Sequence, residues 1–188
     1  MLPYETQNIM NIRKYGLPFG LVSGLIIILP WFFSAWFGNA DGMMTNPNAM
    51  LIGYGIMVLA LSAVFVGVRR YREREGGGYL TFGKGFGLGL GMVLVASVVY
   101  VIGWMLFFEI YAPEFAENYH QGQIAEMRAN PDLTEAEKDA KEAEWNEGME
   151  MYKNPFFRAA ITFTEVFPVG LVVALISALV WMRRPPKE

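Results

Sequence analysis

Glu165 is the residue whose type and position most directly indicate chemistry, because it is a carboxylate within the apolar run 159–181. Pro168 has no N–H, so in a helix it leaves the carbonyl of Thr164 without a donor, close to the carboxylate. An ionisable group inside a membrane span indicates a functional site. Glu109, near the end of the preceding apolar run, could share a proton or cation with it. The alternative is a hydrogen-bonded structural glutamate that, about 9 Å into the run, reaches the head groups.

Two other spacings resemble cofactor sites, but each lacks an essential part. Residues 78–85 nearly match G-x-x-x-x-G-K-[ST], yet Gly85 replaces the hydroxyl residue that holds Mg²⁺, and an apolar run replaces the preceding strand. Glu117 and His120 have the spacing of half a di-iron site, but the chain has one histidine and no cysteine. Residues 132–150 lack the spacing of a Ca²⁺ loop. We therefore expect no nucleotide, cofactor, metal or catalytic residue, and no enzymatic activity.

Small residues recur at every fourth position in three of the apolar runs. In lipid, such ridges let helix backbones approach closely. They serve either to pack the helices of one chain or to bind a second protein. Glycines at alternate positions from 83 to 91 exceed what one interface requires, because they cover two sides of a helix. The predicted packing glycines are Gly16, Gly20 and Gly24, then Gly83, Gly87 and Gly91, and finally Gly170, which Ala174 and Ala178 follow.

Residues 67–91 place a basic, glycine-rich segment between two apolar runs. We expect its cations to lie at the membrane interface, where long side chains snorkel and contact anionic lipid head groups. Five positive charges between two such runs also indicate a cytoplasmic loop. The predicted head-group residues are Arg69, Arg70, Arg72, Arg74 and Lys84.

Four apolar runs are long enough to cross a bilayer, since about 20 residues at 1.5 Å each span a hydrocarbon core of about 30 Å. The chain has 188 residues, of which 54% are apolar, and this composition in long blocks is typical of a membrane protein. A cleaved signal peptide is the alternative for the first run, but the run is too long and too aromatic. We predict an all-α integral membrane fold, one domain over 1–188, with transmembrane helices at 15–37, 49–68, 86–111 and 159–181.

Lysine and arginine are unevenly distributed between the ends of these runs. Ten of the fifteen lie in the N-terminal segment, the 69–84 loop and the C-terminal segment, and none lies in the 38–48 loop. The remaining five lie in residues 112–158, where eleven acidic residues outnumber them. Because cytoplasmic loops carry the excess of positive charge, we predict cytoplasmic N- and C-termini and an extracytoplasmic 112–158 segment.

Residues 112–158 form a polar insertion that we predict to be a helical hairpin. Pro113 suits the first position of one helix, which Asn130-Pro131 would interrupt. Thr134 and Glu137 then have the spacing of a capping box, which begins a second helix. A partly mobile acidic arm is the alternative.

Several stretches resemble a bacterial family of small membrane proteins catalogued as domain of unknown function 4199. The resemblance rests on their order and on the four-span layout, and it covers roughly residues 12–184. It implies a bacterial inner-membrane protein with an outer hairpin, and it implies no catalytic residue. The stretches are LALS (59–62) with FVGVRRYR (65–72), GG (77–78) with TFGKGF (81–86), MYKNP (151–155), and FTEVFPVGL (163–171) with ISAL (176–179).

These features favour a non-enzymatic accessory or interaction module that packs through glycine-rich helix faces, with the bilayer and either a second copy or another membrane protein as partners. An acidic membrane chain argues against nucleic acid. The alternative is a small oligomeric transporter or channel for protons or cations that uses Glu165. A transporter needs a polar track from Glu165 towards the cytoplasm, and residues 169–182 contain little besides Ser177. An interaction module needs a glycine or aromatic face left free after the spans pack.

Overall fold

The structure, a computed structural model, describes residues 12–37 and 48–183. Within these ranges, the side chains of residues 12, 49–50 and 112–119 are outside the description, as is nearly all of the predicted 38–48 loop. Every regular element in the described ranges is helical. A π-helical segment, Ile12–Gly16, leads into α1 (Leu17–Trp36), which is followed by α2 (Ala49–Arg74), α3 (Phe82–Ala129), α4 (Glu135–Lys153) and α5 (Pro155–Trp181).

Four of these helices contain segments long and apolar enough to cross a membrane. This finding confirms the predicted all-helical fold with four potential spans. The fourth segment begins four residues earlier than the predicted run at 159, because Asn154 caps α5 and Pro155 occupies its first turn. The segments are Arg13–Trp36, Leu51–Arg74, Phe82–Tyr111 and Pro155–Trp181.

The spans form a ring in the order α1, α2, α5, α3, with α1 and α5 at opposite corners. α1 and α3 run in the same direction, since Gly24 lies against Val99 and Ile28 lies against Gly103. α3 and α5 are antiparallel, and the backbone of Gly89 lies against Ala174. Consequently α1 and α3 begin, and α2 and α5 end, at the same end of the bundle. We call this the basic end, and we call the opposite one the hairpin end.

The packed interior and the outer surface of the bundle are both apolar. Leu61, Val64, Met92 and Val166 are completely buried in the interior. Large aliphatic side chains also point outwards along every span, and Leu59 on α2 is 73% exposed. A soluble monomer rarely exposes apolar area on this scale, whereas lipid covers it at no cost. The outer faces of all four helices therefore fit a bilayer.

The hairpin is formed by the last part of α3 and by α4. The predicted helix start at Pro113 is wrong, because α3 continues without a break to Ala129 and ends only before Asn130-Pro131. Residues 114–129 are rich in helix-forming Ala, Glu, Gln and Met, which explains the continuation. The predicted capping box is confirmed: the Thr134 hydroxyl accepts from the Glu137 amide, and the Glu137 carboxylate accepts from the Thr134 amide at 2.9 Å.

The turn after α2 is held against the end of α5. Gly77 and Gly78 have φ values of +56° and +87°, which side-chain-bearing residues rarely adopt. The chain then passes Leu80, whose backbone exchanges two hydrogen bonds of 2.8 and 3.0 Å with Arg183. This contact ties the loop between α2 and α3 to the segment after α5.

Candidate functional site

A buried cation, Arg158, is the centre of a polar cluster at the hairpin end of α3 and α5. Its residue exposure is only 2%. The guanidinium donates to a Glu109 carboxylate oxygen at 2.9 Å and stacks over the Phe108 ring at 3.8 Å. It also donates to the Tyr152 carbonyl and contacts the Met105 sulfur, both at 3.4 Å. A charge inside an apolar helix bundle is stable only with such partners.

The start of α5 positions this arginine. The Asn154 side-chain oxygen accepts from the amides of Phe156 and Phe157 at 2.9 and 3.4 Å, which satisfies two donors of the first turn. Arg158 therefore lies in the first turn of α5. The antiparallel packing of α3 and α5 brings it opposite Glu109. Sequence reasoning missed Arg158 because we counted it with the hairpin.

Tyr152, at the end of α4, connects the hairpin to the bundle. Its hydroxyl accepts a hydrogen bond of 2.7 Å from the Trp104 indole N–H on α3. Burial raises the pKa of the Tyr152 phenol above its ordinary value, and the Trp104 hydrogen bond acts in the opposite direction. Tyr152 therefore remains a neutral phenol at physiological pH, and its hydrogen bond holds the last turn of α4 against α3.

Glu165 lies seven residues after Arg158, about 10 Å along α5. Its carboxylate accepts a hydrogen bond of 3.5 Å from the Tyr100 hydroxyl on α3. Because α5 begins at Pro155, Glu165 is about 15 Å from the helix start rather than the expected 9 Å.

The four residues predicted for the intramembrane polar site do not converge. Glu109 pairs with Arg158 instead of sharing a site with Glu165. The Thr164 hydroxyl donates to the Ile161 carbonyl of its own helix at 2.7 Å, and Pro168 is exposed inside α5. The cluster that forms combines two of the predicted residues with four others. Its members are Glu109, Arg158, Tyr152, Trp104, Tyr100 and Glu165.

Between Glu165 and the basic end, the interface of α3 and α5 is close-packed and almost apolar. Gly170 lies directly against Val93, and a β-carbon at Gly89 would lie 3.1 Å from the Ala174 β-carbon. The Ser177 hydroxyl is buried and donates to a carbonyl of its own helix. The described residues of α3 and α5 therefore form no continuous polar path from Glu165 to the basic end.

The predicted packing glycines fall into two groups. A β-carbon at Gly20 or Gly24 would lie 2.6 Å from atoms of α3, and Gly170 is equally confined. Nothing lies within 4 Å of a β-carbon built on Gly83 or Gly87. Of the other two predicted glycines, Gly16 is buried and Gly91 is partly buried.

The predicted head-group cations at the basic end differ in their contacts. Arg69 pairs with Glu73 at 2.8 Å, and Arg70 lies 5.6 Å from the Phe19 ring centre. Arg74 and Lys84 are exposed and form no ion pair with the described residues.

Nearby, Glu75 accepts hydrogen bonds from Lys14 and from the Tyr15 hydroxyl, and these bonds hold the pKa of Glu75 below its ordinary value.

The Glu117–His120 pattern lies only partly within the described residues. His120 is buried on α3, whereas the side chain of Glu117 lies outside the described residues. The described residues contain no group of three or more His, Asp or Glu side chains that could hold a metal ion.

Comparison with known proteins gives one relationship. No curated protein and no solved structure matches the chain. A family description matches residues 14–183, which include all four apolar spans and the hairpin, and confirms the resemblance seen in the sequence. The chain belongs to the family described as protein of unknown function (DUF4199).

Proposed function

We propose that the protein is a non-enzymatic interaction module of the membrane, which binds a second copy or another membrane protein through one face of α3. The observation that carries this proposal is the free space over Gly83 and Gly87. Gly20, Gly24 and Gly170 are already used to pack the chain's own helices.

The same face of α3 continues towards the hairpin end with large aliphatic residues. Leu94 and Val98 lie on it at helical spacing and are 42% and 50% exposed. A notch of two glycines beside projecting aliphatic side chains fits a neighbouring helix, because close backbone approach drives helix association in lipid.

The alternative is a small oligomeric transporter or channel for protons or cations. The observation in its favour is the Glu165 carboxylate, which lies deep in α5, is exposed, and contacts Tyr100. Since the described residues of α3 and α5 supply no polar path, a second copy would have to complete it. Proton or cation flux in reconstituted vesicles, with Glu165→Gln as the comparison, tests this alternative.

We also propose that the protein lies in a bacterial inner membrane, with the basic end in the cytoplasm and the hairpin outside. The charge distribution supports this orientation, because ten of the fifteen lysines and arginines lie in the segments that flank the spans at the basic end.

The interaction proposal is tested by mild detergent extraction, crosslinking and native mass spectrometry. We expect a defined complex that Gly83→Leu and Gly87→Leu each weaken, because a leucine side chain would fill the notch. Gly55→Leu on α2 is the matched control, since a β-carbon there also meets no atom within 4 Å. A protein that is monomeric and alone, or a complex that all three substitutions weaken equally, contradicts the proposal.

A further inference from the structure

We propose that the basic end holds the head group of one anionic phospholipid at the corner where α2, α3 and α5 meet. This lipid corner consists of Arg69, Arg72, Lys84, Trp181 and Arg183. The inference does not depend on the glycine face of α3.

The backbone brings the last two cations to one place. Leu80 and Arg183 exchange two backbone hydrogen bonds, so Arg183 is fixed beside the loop that precedes α3. A β-carbon at Gly85 would lie 3.1 Å from the Leu80 side chain and 3.5 Å from Ala178 of α5. Lys84 is the residue before Gly85, so its backbone lies near the same leucine. Both cations are exposed.

Two further cations lie against the Trp181 ring. The guanidinium carbons of Arg72 and Arg69 lie 4.8 and 5.1 Å from its ring centre. Two N–H donors here, Arg72 Nε and Trp181 Nε1, are buried without an acceptor among the described residues. An anion at this corner supplies negative charge to the two guanidinium groups.

The lipid corner carries more positive charge than its neighbouring acidic residues neutralise. Glu73 pairs with Arg69 at 2.8 Å and with Arg72 at 3.6 Å. Glu73 is the acidic residue, among those described, that pairs with these arginines. The neighbouring Glu75 pairs with Lys14 instead. Lys84 and Arg183 form no ion pair with any described residue. A phosphate group is the partner that arginine and lysine fit best at a membrane surface.

The surroundings indicate a lipid rather than a soluble phosphate. The last turn of α5 and the residue after it present Leu179, Val180 and Met182 outwards, each at least 50% exposed, directly before Arg183. A lipid whose phosphate lies at Arg183 can lay its acyl chains along this apolar surface. Inorganic phosphate cannot cover it.

Native mass spectrometry of the whole chain in micelles with equal phosphatidylglycerol and phosphatidylcholine tests this inference. We expect retained phosphatidylglycerol in preference to phosphatidylcholine. The double variant Lys84→Gln/Arg183→Gln should reduce that preference about 25-fold, at about fivefold for each charge near a membrane surface. Both side chains are exposed, so the thermal midpoint should not change.

The matched control is Lys141→Gln/Lys153→Gln, which removes two exposed cations from α4. This variant should keep the lipid preference. Equal loss in both double variants, or no preference in the unmodified chain, overturns the inference. Glycerol 3-phosphate provides a separate arm: if it displaces the bound lipid at an equal concentration, the site recognises phosphate alone and the lipid assignment is wrong.

Discussion

At the scale of single residues, the main finding is a charge that the fold buries and satisfies. Arg158 is enclosed by an ion pair, an aromatic ring and a backbone carbonyl. The sequence shows an arginine next to an apolar run but not its partners, since Glu109 is 49 residues away. Glu109, which could have shared a proton or cation with Glu165, pairs with Arg158 instead. The sequence does not show which of the possible ion pairs forms, because the distances between the charged groups depend on how the helices pack.

The Glu109–Arg158 pair predicts an unequal response to its two single substitutions. Glu109→Leu leaves a buried, unpaired cation and should destabilise the protein by about 3 kcal/mol. Arg158→Met should cost less, because the Glu109 side chain left behind is 71% exposed. Adding Arg158→Met to Glu109→Leu should recover stability. Unfolding in detergent measures all three, and a neutral Glu109→Leu contradicts the role of Glu109 as partner of the buried arginine.

Glu137 predicts a pH dependence at the start of α4. The Thr134 backbone amide and then its hydroxyl lower the pKa of Glu137 below its ordinary value of 4.5. Because the pKa is lowered in the folded state, the contribution of the Glu137 carboxylate to the stability of the capping box is complete above about pH 4.5. It is lost as the pH falls through the lower, folded value.

Hydrogen exchange of the first-turn amides of α4, corrected for intrinsic rates, should show this loss of protection. Glu137→Gln keeps an acceptor in the capping box but cannot titrate, so its protection should be independent of pH in this range. Glu144→Gln is the control within the same helix and should behave like the unmodified chain. The assignment fails if Glu137→Gln retains the acid-dependent step.

At the scale of helices, apolar run length and end signals were enough to predict most elements. The four spans, the end of α3 near Asn130-Pro131 and the capping box at Thr134 were all predicted. The continuation of α3 through residue 113 was not predicted, because a proline at that position also fits the start of a new helix. The sequence also could not show which glycine ridges pack internally. Ridge spacing is the same whether the neighbour is another helix or lipid.

The two groups of glycines predict opposite effects of alanine. Gly24→Ala should destabilise the bundle by about 1–3 kcal/mol, because the new methyl would lie 2.6 Å from the Val99 β-carbon and 2.8 Å from the Ala96 carbonyl. Gly87→Ala meets no atom and should stabilise α3 by about 0.5–1 kcal/mol. Thermal unfolding of the isolated chain in detergent compares them. If Gly24→Ala is as stable as the unmodified chain, α1 and α3 are not packed as described.

At the scale of the whole molecule, polarity is arranged along the bundle axis. The basic end collects arginines and the lipid corner, while the hairpin end carries an acidic helix, α4, held by Tyr152 and Arg158. This asymmetry was visible in the sequence, because lysines and arginines can be counted in each loop without knowledge of the tertiary structure. The contact between the last turn of α4 and α3 was not visible, since it depends on a tryptophan and a tyrosine that are 48 residues apart.

The same asymmetry predicts an orientation that labelling of single cysteines can test without background, since the chain contains no cysteine. Glu147→Cys places a thiol on the exposed surface of α4, and Arg74→Cys places one at the exposed basic end. If the basic end is cytoplasmic, a membrane-impermeant maleimide added to intact cells with a permeabilised outer membrane should label position 147 alone. Position 74 should react only after the inner membrane is opened. The reverse pattern would place the hairpin inside and contradict the positive-inside argument. Labelling of both positions in intact cells would mean that the chain inserts in two orientations.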